Sequence, residues 1–597
     1  MFLLGFGRAQ LFVVAVVVGF TPPSSAVNFL QCLNSINNMT IDGKTDNHGN
    51  LLPPSISNAT AITYDLCVSQ CGAVQEPFQW TVFSQQFSSW LLPWLALVSQ
   101  LPFGANDKLD NLESMFLTIG SPTLAAYSLA LTVLNGRWIA QLFSNYRYPN
   151  VKNAVRILSG LQQSPLRVDT SDVLLASLIM LPQNDEWWEE LVVWLEYTHT
   201  WSISAATSIA WVIIAYIFTI IDYFSQGVQD ALNSSGGSIG SLWLWLLPVV
   251  VGWLQLSPKC DSNRLHQAVD RANSIAYVAN RTSQPIKAEN ISRKRAIYIA
   301  RSELDEARLD ERSTPPIYNY ARFLPWVQAV VVVSDAFGII SERDHHHDPV
   351  VPGTEWWDRI SEGAGALTAF QVQNYSLPRP GSVYHRSTHK WRLDNSVISR
   401  MFIASALALT LQWGATVSAV IIIWFKPPIG EHCNFYYHLS GAEPFITLLG
   451  LGCRSASYIT YGALSTLVWM MLLTSSILTY YSTNTPTRSF QENFILALQV
   501  RVARWLSIFL RRLGKLIAGL NGVWIVAIGL LQFSSFYDRC YCNSGVMGLG
   551  KHAYDVISPV DVGSMRTTWI GGFFLAAGAA MIFAGFVTLF IDPPLPR

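Results

Sequence analysis

The chain has 597 residues, of which 50% are hydrophobic, 12% aromatic and only 13% charged, about half the charged share of an average soluble protein. Lys+Arg and Asp+Glu number 39 each, so no net field points to nucleic acid or an acidic partner. With 22 Trp and a mean hydropathy of +0.28, these figures exclude a disordered, fibrous or nucleic-acid-binding chain and indicate an all-α, polytopic integral membrane protein.

Arg8 precedes the apolar run Leu11–Phe20, and Ser24 and Ala26 have the small-x-small spacing of a signal peptidase site. Residues 1–26 therefore read as a secretory signal peptide, with an uncleaved anchor as the alternative. Either reading places the next stretch outside or in the lumen. Residues 27–82 hold one basic residue, Lys44, against Asp42, Asp46, Asp65 and Glu76, with sequons at Asn38 and Asn58 and thiols at Cys32, Cys67 and Cys71. That is the chemistry of a glycosylated, disulfide-bonded external region.

Runs of bilayer length, about 20 residues, are Phe116–Leu134, Ile203–Phe224, Ile239–Leu256, Met401–Phe425, Ser457–Tyr481, Leu516–Phe536 and Thr568–Ile591. Phe83–Pro102 is weaker and interrupted by Pro93. Phe323–Ile340 carries Asp335 between charged flanks and reads as a helix lying on the surface. Residues 135–170 hold Arg137, Arg147, Lys152, Arg156 and Arg167 against Asp169. Residues 485–515 hold Arg488, Arg501, Arg504, Arg511, Arg512 and Lys515 against Glu492. Both belong in the cytosol by the positive-inside rule.

Alternation makes 257–397 cytosolic, leaves 426–455 and 538–566 outside, and ends the tail, 592–597, inside. Cys32, Cys67, Cys71, Cys433, Cys453, Cys540 and Cys542 are then external disulfide candidates with at least one left over, and Cys260 faces the reducing side. An external N-terminus and a cytosolic 135–170 require an odd number of crossings between them. Phe83–Pro102, the more polar segment, is expected to enter without crossing while Phe116–Leu134 spans. The count is seven spans, with eight as the alternative. Sequons at Asn280, Asn290 and Asn374 conflict with a cytosolic 257–397, because glycans there would turn the middle of the map over.

The chain thus divides into the signal peptide (1–26), the external region (27–82), a membrane-associated segment and first span (83–134), and a basic loop with a Trp-rich helix (135–202). Two spans (203–256), a cytosolic helical and loop region (257–397), four spans (398–591) and the tail follow.

Asp185–Tyr197 pairs Trp187, Trp188 and Trp194 with acids and reads as an interfacial helix before a span, with a carboxylate-rich ion site as the sharper alternative. Ser292–Arg312 has the apolar spacing of an amphipathic helix, with Ile297, Ala300, Leu304 and Ala307 on one face. Asp344-His-His-His-Asp348, with His385 and His389, has metal-ligand residue types, but adjacent side chains diverge, so a solvated loop is expected. Arg501, Arg504, Arg511, Arg512 and Lys515 alternate with Trp505, Ile508, Phe509 and Leu513. They suit a basic helix lying on the cytosolic leaflet against anionic lipid head groups, at about 1 kcal/mol per charge. Gly572, Ala576, Ala580 and Ala584 give the last span a small-residue stripe for close helix packing.

Gly236–Gly240 fits G-x-S-x-G by letter only, Gly545–Lys551 approaches a P-loop but has His552 in place of the Ser or Thr that would hold magnesium, and no cofactor or catalytic metal is expected. The leading expectation is a non-enzymatic protein of membrane sensing, scaffolding or organisation, in the secretory pathway, plasma membrane or an endomembrane. A transporter or channel is the alternative, and would turn Arg454, Gln412 or Asn521 into a water-lined cavity. A membrane-embedded enzyme is the third class.

Four segments carry a resemblance: Trp187-Trp188-Glu-Glu-Leu-Val-Val-Trp, Gly240-Ser-Leu-Trp-Leu-Trp-Leu-Leu-Pro with Ser257-Pro-Lys-Cys260, Gly450-Leu-Gly-Cys-Arg-Ser, and Phe536-Tyr-Asp-Arg-Cys-Tyr-Cys542. Together the chain resembles a family of uncharacterised multi-spanning membrane proteins of filamentous fungi. The resemblance implies the class and no activity. His432–Thr447 looks like an insertion in the external loop before Gly450.

Overall fold

The computed structural model describes residues 26–101, 108–169, 173–195, 202–225, 236–256, 262–281, 284–290, 294–300, 306–313, 315–350, 367–379, 394–424, 452–484, 494–558 and 563–592. Residues 1–25 of the signal peptide, Cys260, Cys433, the 432–447 stretch, His385 and His389 lie outside the described residues.

In chain order, α1 (Phe29–Asn37), β1 (Lys44–Thr45) and β2 (Ala61–Thr63) precede an interrupted helix. That helix consists of α2 (Trp80–Gln86), a π turn over Phe87–Leu91 and α3 (Leu92–Val98). Pro93 explains the interruption, since its ring would clash with the carbonyl four residues back and the wider turn makes room. Next come α4 (Lys108–Gly120), α5 (Pro122–Leu142), α6 (Val151–Gly160), β3 (Leu166–Val168), α7 (Leu174–Met180), α8 (Asp185–Leu195), α9 (Ile203–Ser225), α10 (Gly236–Trp243) and α11 (Leu246–Leu256).

After α12 (Ser262–Ile275), short strands β4 (Tyr277–Val278), β5 (Ile286–Lys287) and β6 (Ile297–Ile299) lead to α13 (Asn319–His345) and α14 (Ala369–Tyr375). The long helices are α15 (Asn395–Trp424), α16 (Cys453–Asn484) and α17 (Phe494–Phe533), followed by α18 (Cys540–Asn543), β7 (Tyr554–Val556) and α19 (Gly563–Phe590).

Among the described residues, six helices are long and apolar enough to cross a membrane (α10–α11 taken together, α13, α15, α16, α17 and α19), and the bent pair α4–α5 adds a seventh if counted as one span. The protein is therefore a helical membrane protein, and among the described residues its strands are all short. The strands join distant segments: β1-β2-β7 form one antiparallel sheet, β3 pairs with β6, and β4 with β5.

A disulfide-bonded lobe at one end of the bundle is built from residues 27–79 and 537–557. Cys32–Cys71 closes it, Cys67–Cys540 ties its two segments, and Cys453–Cys542 ties it to the first residue of α16. Lys44 is fully buried, and its ammonium donates to the carbonyls of Met39 (2.7 Å), Ile56 (2.6 Å) and Pro54 (3.1 Å), gathering a long loop onto one charge.

The second lobe corrects three expectations. First, 143–195 and 262–379 fold together rather than as separate units. Trp187 and Trp188 are both fully buried, bonded through Nε1 to Asn273 Oδ1 (3.2 Å) and the Leu178 carbonyl (3.0 Å), so α8 is a core helix and not an interfacial one. Of the acids on α8, Glu186 and Glu189 are exposed and Asp185 and Glu190 half-buried.

Second, α13 does not lie on the surface: Trp326, Val330, Val333, Phe337 and Ile340 are buried along it, wrapped by α6, α8 and the 143–148 loop. Its apolar residues surround the helix, the signature of a core element. Third, Ser292–Arg312 is not one helix. Ile297–Tyr298–Ile299 alternates buried, exposed, buried as β6, and Glu306–Glu311 is a 3-10 turn. The β-branched pair with period two outcompetes the helical spacing.

Two further corrections concern the bundle. Phe116–Leu134 is not a straight span, because α4 and α5 meet at 100° across Gly120–Ser121–Pro122. And the basic stretch 501–515 does not precede a span as a separate surface helix but is continuous with it in the 40 residues of α17.

Candidate functional site

The α16–α17 hairpin carries polar clusters at three levels. The middle one exists because of the break. Pro122 lacks an N–H, so the helix cannot run through it; Ser121 caps the new start by accepting from Leu124 N (3.3 Å). The carbonyls orphaned at the end of α4 are capped from the hairpin. Tyr461 donates its hydroxyl to Ile119 O (2.8 Å), and Asn521 Nδ2 donates to Gly120 O (2.7 Å). Ser121 Oγ donates to Ser465 O (2.8 Å), and Gln412 Nε2 to Thr416 Oγ1 (2.7 Å). Gly120 is required by contact, because a Cβ there would sit 1.9 Å from the Ala518 carbonyl.

At the disulfide end, Arg454 pairs with Asp538. Asp555 is fully buried with Oδ1 unbonded, and burial together with the nearby Asp538 and Glu76 carboxylates pushes its carboxyl well above the usual carboxylate range, against the pull of Arg454. Glu76 is raised too, by burial first and Asp538 second.

At the other end, α17 meets the second lobe. Lys515 Nζ lies 2.5 Å from Glu113 and 2.6 Å from Asp310; Arg512 pairs with Glu306; and Arg511 donates to the carbonyls of Ala307 (2.7 Å) and Glu306. Tyr320 donates to Asp310, Ser476 Oγ to Tyr320 O (2.6 Å), and Ser475 and Ser507 exchange hydroxyl-to-carbonyl bonds at 2.8 and 2.9 Å. A cavity of about 20 Å³ among Asp310, Tyr320, Ser475, Thr479 and Arg511 has room for about one water.

Sequence reasoning placed Arg511, Arg512 and Lys515 against lipid, and the structure gives all three protein partners; Arg501 and Arg504 are exposed. It missed Glu113, Glu306 and Asp310, which lie roughly 200 to 400 positions away in the chain and carry no local signal.

Gln412 and Asn521 sit in the packed middle cluster, and Arg454 in the disulfide end. The stripe of α19 packs on α15: Ser418 Oγ donates to Gly572 O (2.6 Å), and Ala576 and Ala580 are buried while Ala584 is partly so. Asn38 and Asn58 are exposed on the disulfide lobe; Asn290 is exposed, and Asn280 and Asn374 partly exposed, on the second lobe. Asp344 and His345 end α13, and no group of three or more metal-ligating side chains occurs among the described residues. Comparison with known protein-family models, curated proteins and solved structures finds no match to the chain.

Proposed function

We propose that this protein is a membrane-embedded sensor or scaffold, in which an outer disulfide-bonded lobe and an inner lobe are coupled through the α16–α17 hairpin. One observation carries the reading: the same two helices hold both lobes, at opposite ends. Cys453 and Arg454 fasten the outer end of α16. Thr479, Arg511, Arg512 and Lys515 fasten the inner ends to the 306–311 turn. The two attachments of α16 are 26 residues apart, about 40 Å of helix. A rigid helix pair of that length passes a displacement at one lobe to the other.

A sidedness for every segment follows. Asn521 lies ten residues from Arg511 and twelve from Phe533, about 15 and 18 Å along the helix, so the α4–α5 break falls near the middle of a core about 30 Å thick. From there both arms return to the inner side: Glu113 of α4 pairs with Lys515, and Asn135 of α5 accepts from Arg400 at the start of α15. In this reading α4–α5 is re-entrant. The crossing is made by Trp80–Val98, which leaves the outer lobe beside the Gln75–Arg539 bridge and packs Leu91 on Gly529. Seven crossings result, made by Trp80–Val98, α9, α10–α11, α15, α16, α17 and α19, while α13, long and apolar enough to span, is assigned to the inner lobe that wraps it. The roles of the first two segments are exchanged relative to the sequence expectation. The signal peptide, outer glycans at Asn38 and Asn58, and the likeness to fungal multi-spanning proteins belong to the same proposal.

The transporter alternative has one feature in its favour, a helix broken at mid-depth. Most polar groups of that break, however, bond to one another and to the α4 carbonyls, with Asn521 Oδ1 left without a partner. The coupling is tested by hydrogen exchange on Cys542→Ser. Faster exchange in residues 306–313 supports it; unchanged exchange there, with a loosened outer lobe, contradicts it.

A further inference from the structure

The outer lobe carries two of its disulfides on a single turn. Cys67 and Cys71 begin and end a π turn, closed by Gly72 N donating to Cys67 O (3.2 Å). At that spacing their side chains leave from the same face. Cys71 is bonded to Cys32 and Cys67 to Cys540, and Cys540 Sγ lies 3.4 Å from the carbonyl of Gly72, the residue after Cys71. Cys67, Cys71 and Cys540 pack in one cluster, with Cys32 against it. The two bonds differ in access. Cys67 and Cys540 are 0% and 1% exposed, whereas Cys32 is half-buried and, with Cys71, lines a groove of about 300 Å³ beside Asn28, Gln31 and Gln70. A thiolate arriving from solvent meets Cys32 first.

Asp555 of β7 stands at the inner bond. It is fully buried, its Oδ2 lies 3.8 Å from Cys67 Sγ, and its Oδ1 has no partner. Asp538, Glu76 and Arg454 act on it, and Lys44, two strands across the same sheet, is held by carbonyls of its own loop. Burial first, then the two carboxylates, hold the Asp555 carboxyl well above the usual carboxylate range against the pull of Arg454. A neutral carboxyl against a sulfur can protonate the thiolate formed there when the S–S bond breaks, and a better leaving thiol speeds exchange.

We propose that the outer lobe is a thiol–disulfide relay, opened by an external dithiol, in which Cys71 carries the exchange inward and Asp555 protonates Cys67. One thiolate of the dithiol attacks Cys32 Sγ, and Cys71 leaves as a thiolate. The second thiol of the dithiol closes onto the first, releasing Cys32, which takes a proton from solvent. The Cys71 thiolate attacks Cys540 Sγ and forms a Cys71–Cys540 bond. The electron pair of the broken Cys67–Cys540 bond goes to Cys67, which takes the proton of Asp555, and solvent reprotonates the carboxylate. One dithiol is oxidised and one protein disulfide reduced, leaving thiols at Cys32 and Cys67. Cys540 stays tied to the N-terminal region, one turn further along, so the clip on α16 is shifted rather than cut. The inference deepens the sensor reading, on which it rests for its consequence, by naming the stimulus.

The test is a time course on the purified full-length protein with dithiothreitol at neutral pH, quenched with N-ethylmaleimide and read by mass spectrometry of labelled and cross-linked peptides. Both faces are then reachable, and the coupling between lobes does not enter, so failure here is separate from failure of the exchange test above. The expected result is label on Cys32 and Cys67 with a Cys71–Cys540 link, before any label on Cys540. Asp555→Asn is expected to slow the release of Cys67 about a hundredfold, the contribution of a positioned general acid. Opening of Cys32–Cys71 is expected to keep its wild-type rate in that variant, which shows that the lobe is intact. Cys32→Ser/Cys71→Ser is expected to leave Cys67–Cys540 closed. Release of Cys540 ahead of Cys67 in wild type overturns the relay, as does release of Cys67 at the wild-type rate in either variant. Equal slowing of both bonds in Asp555→Asn would reduce Asp555 to a structural part and overturn its role as proton donor.

Discussion

Cys453 and Cys542 are bonded across 89 positions, fixing the first residue of α16 to the loop that follows α17. Two residues earlier in that loop, Cys540 bonds Cys67, 473 positions away. The Cys-Tyr-Cys segment is thus a double staple, holding the top of the hairpin and the N-terminal region to one point. Loop closures of this length restrict the unfolded chain strongly, by roughly 4.5 kcal/mol for the shorter and about 6 kcal/mol for the longer in the chain-entropy picture. Serine at Cys67 or Cys542 is expected to lower the midpoint of thermal unfolding in detergent by several degrees, checked by a thiol-independent stability assay. Reductant is expected to reproduce that loss in wild type and to add little to the double variant.

Tyr461→Phe and Asn521→Leu each remove a cap from a carbonyl at the α4 end. A buried acceptor left unbonded costs about 1–3 kcal/mol, so both variants are expected to unfold earlier while retaining the fold. Gly120→Ala places a methyl against the Ala518 carbonyl, and a separation of α4 from α17 costing about 1–3 kcal/mol is expected. If both the capping variants and Gly120→Ala were silent in a thermal assay, the broken helix would not have this geometry.

Lys515 serves Glu113 and Asp310 together, and Asp310 is 3% exposed. Lys515→Met leaves that carboxylate without its nearest cation, at a cost of about 3 kcal/mol, less the solvent screening at the partly exposed lysine. Lys515→Met/Asp310→Asn is expected to recover part of the loss. A double-mutant cycle on unfolding midpoints checks it, and full additivity would contradict a direct pair.

Asp555 is ionised at neutral pH in the unfolded chain but not readily in the folded one, because burial and the Asp538 and Glu76 charges raise its carboxyl. The folded state then binds more protons, so this group's contribution to stability is present below the ordinary carboxylate range. It falls as pH rises toward the raised folded value. Asp555→Asn is accordingly expected to stabilise the outer lobe at neutral pH and to flatten the dependence of its unfolding on pH between about 4 and 7. Unfolding curves of wild type and variant that stay parallel over that range would show that the carboxyl titrates normally.

Much of the architecture was legible from composition and runs of apolar residues, because a bilayer-length helix is a local signal. The run Ser457–Tyr481 falls within one helix, and those at Met401–Phe425 and Thr568–Ile591 each coincide with one helix to within a residue at the C-terminal end. What sequence reasoning misjudged depends on partners distant in the chain. The run at Phe323–Ile340 is apolar on all sides, a local sign of a buried helix that the single charge of Asp335 masked; the second lobe that wraps it is what the sequence does not show. Gly120–Ser121–Pro122 did hold a readable signal, since proline after a small pair marks a helix boundary inside an otherwise continuous run. The acids that hold Arg511, Arg512 and Lys515 had none.

The arrangement of the two lobes is tested most directly by cysteine accessibility at Leu112, on the exposed side of α4. In a full-length variant carrying Leu112→Cys, a membrane-impermeant maleimide is expected to label only after permeabilisation. Ser57→Cys on the outer lobe is expected to label in intact cells. Labelling of Leu112→Cys from outside an intact cell would place α4 on the outer side, and both the re-entrant turn and the crossing at Trp80–Val98 would be wrong.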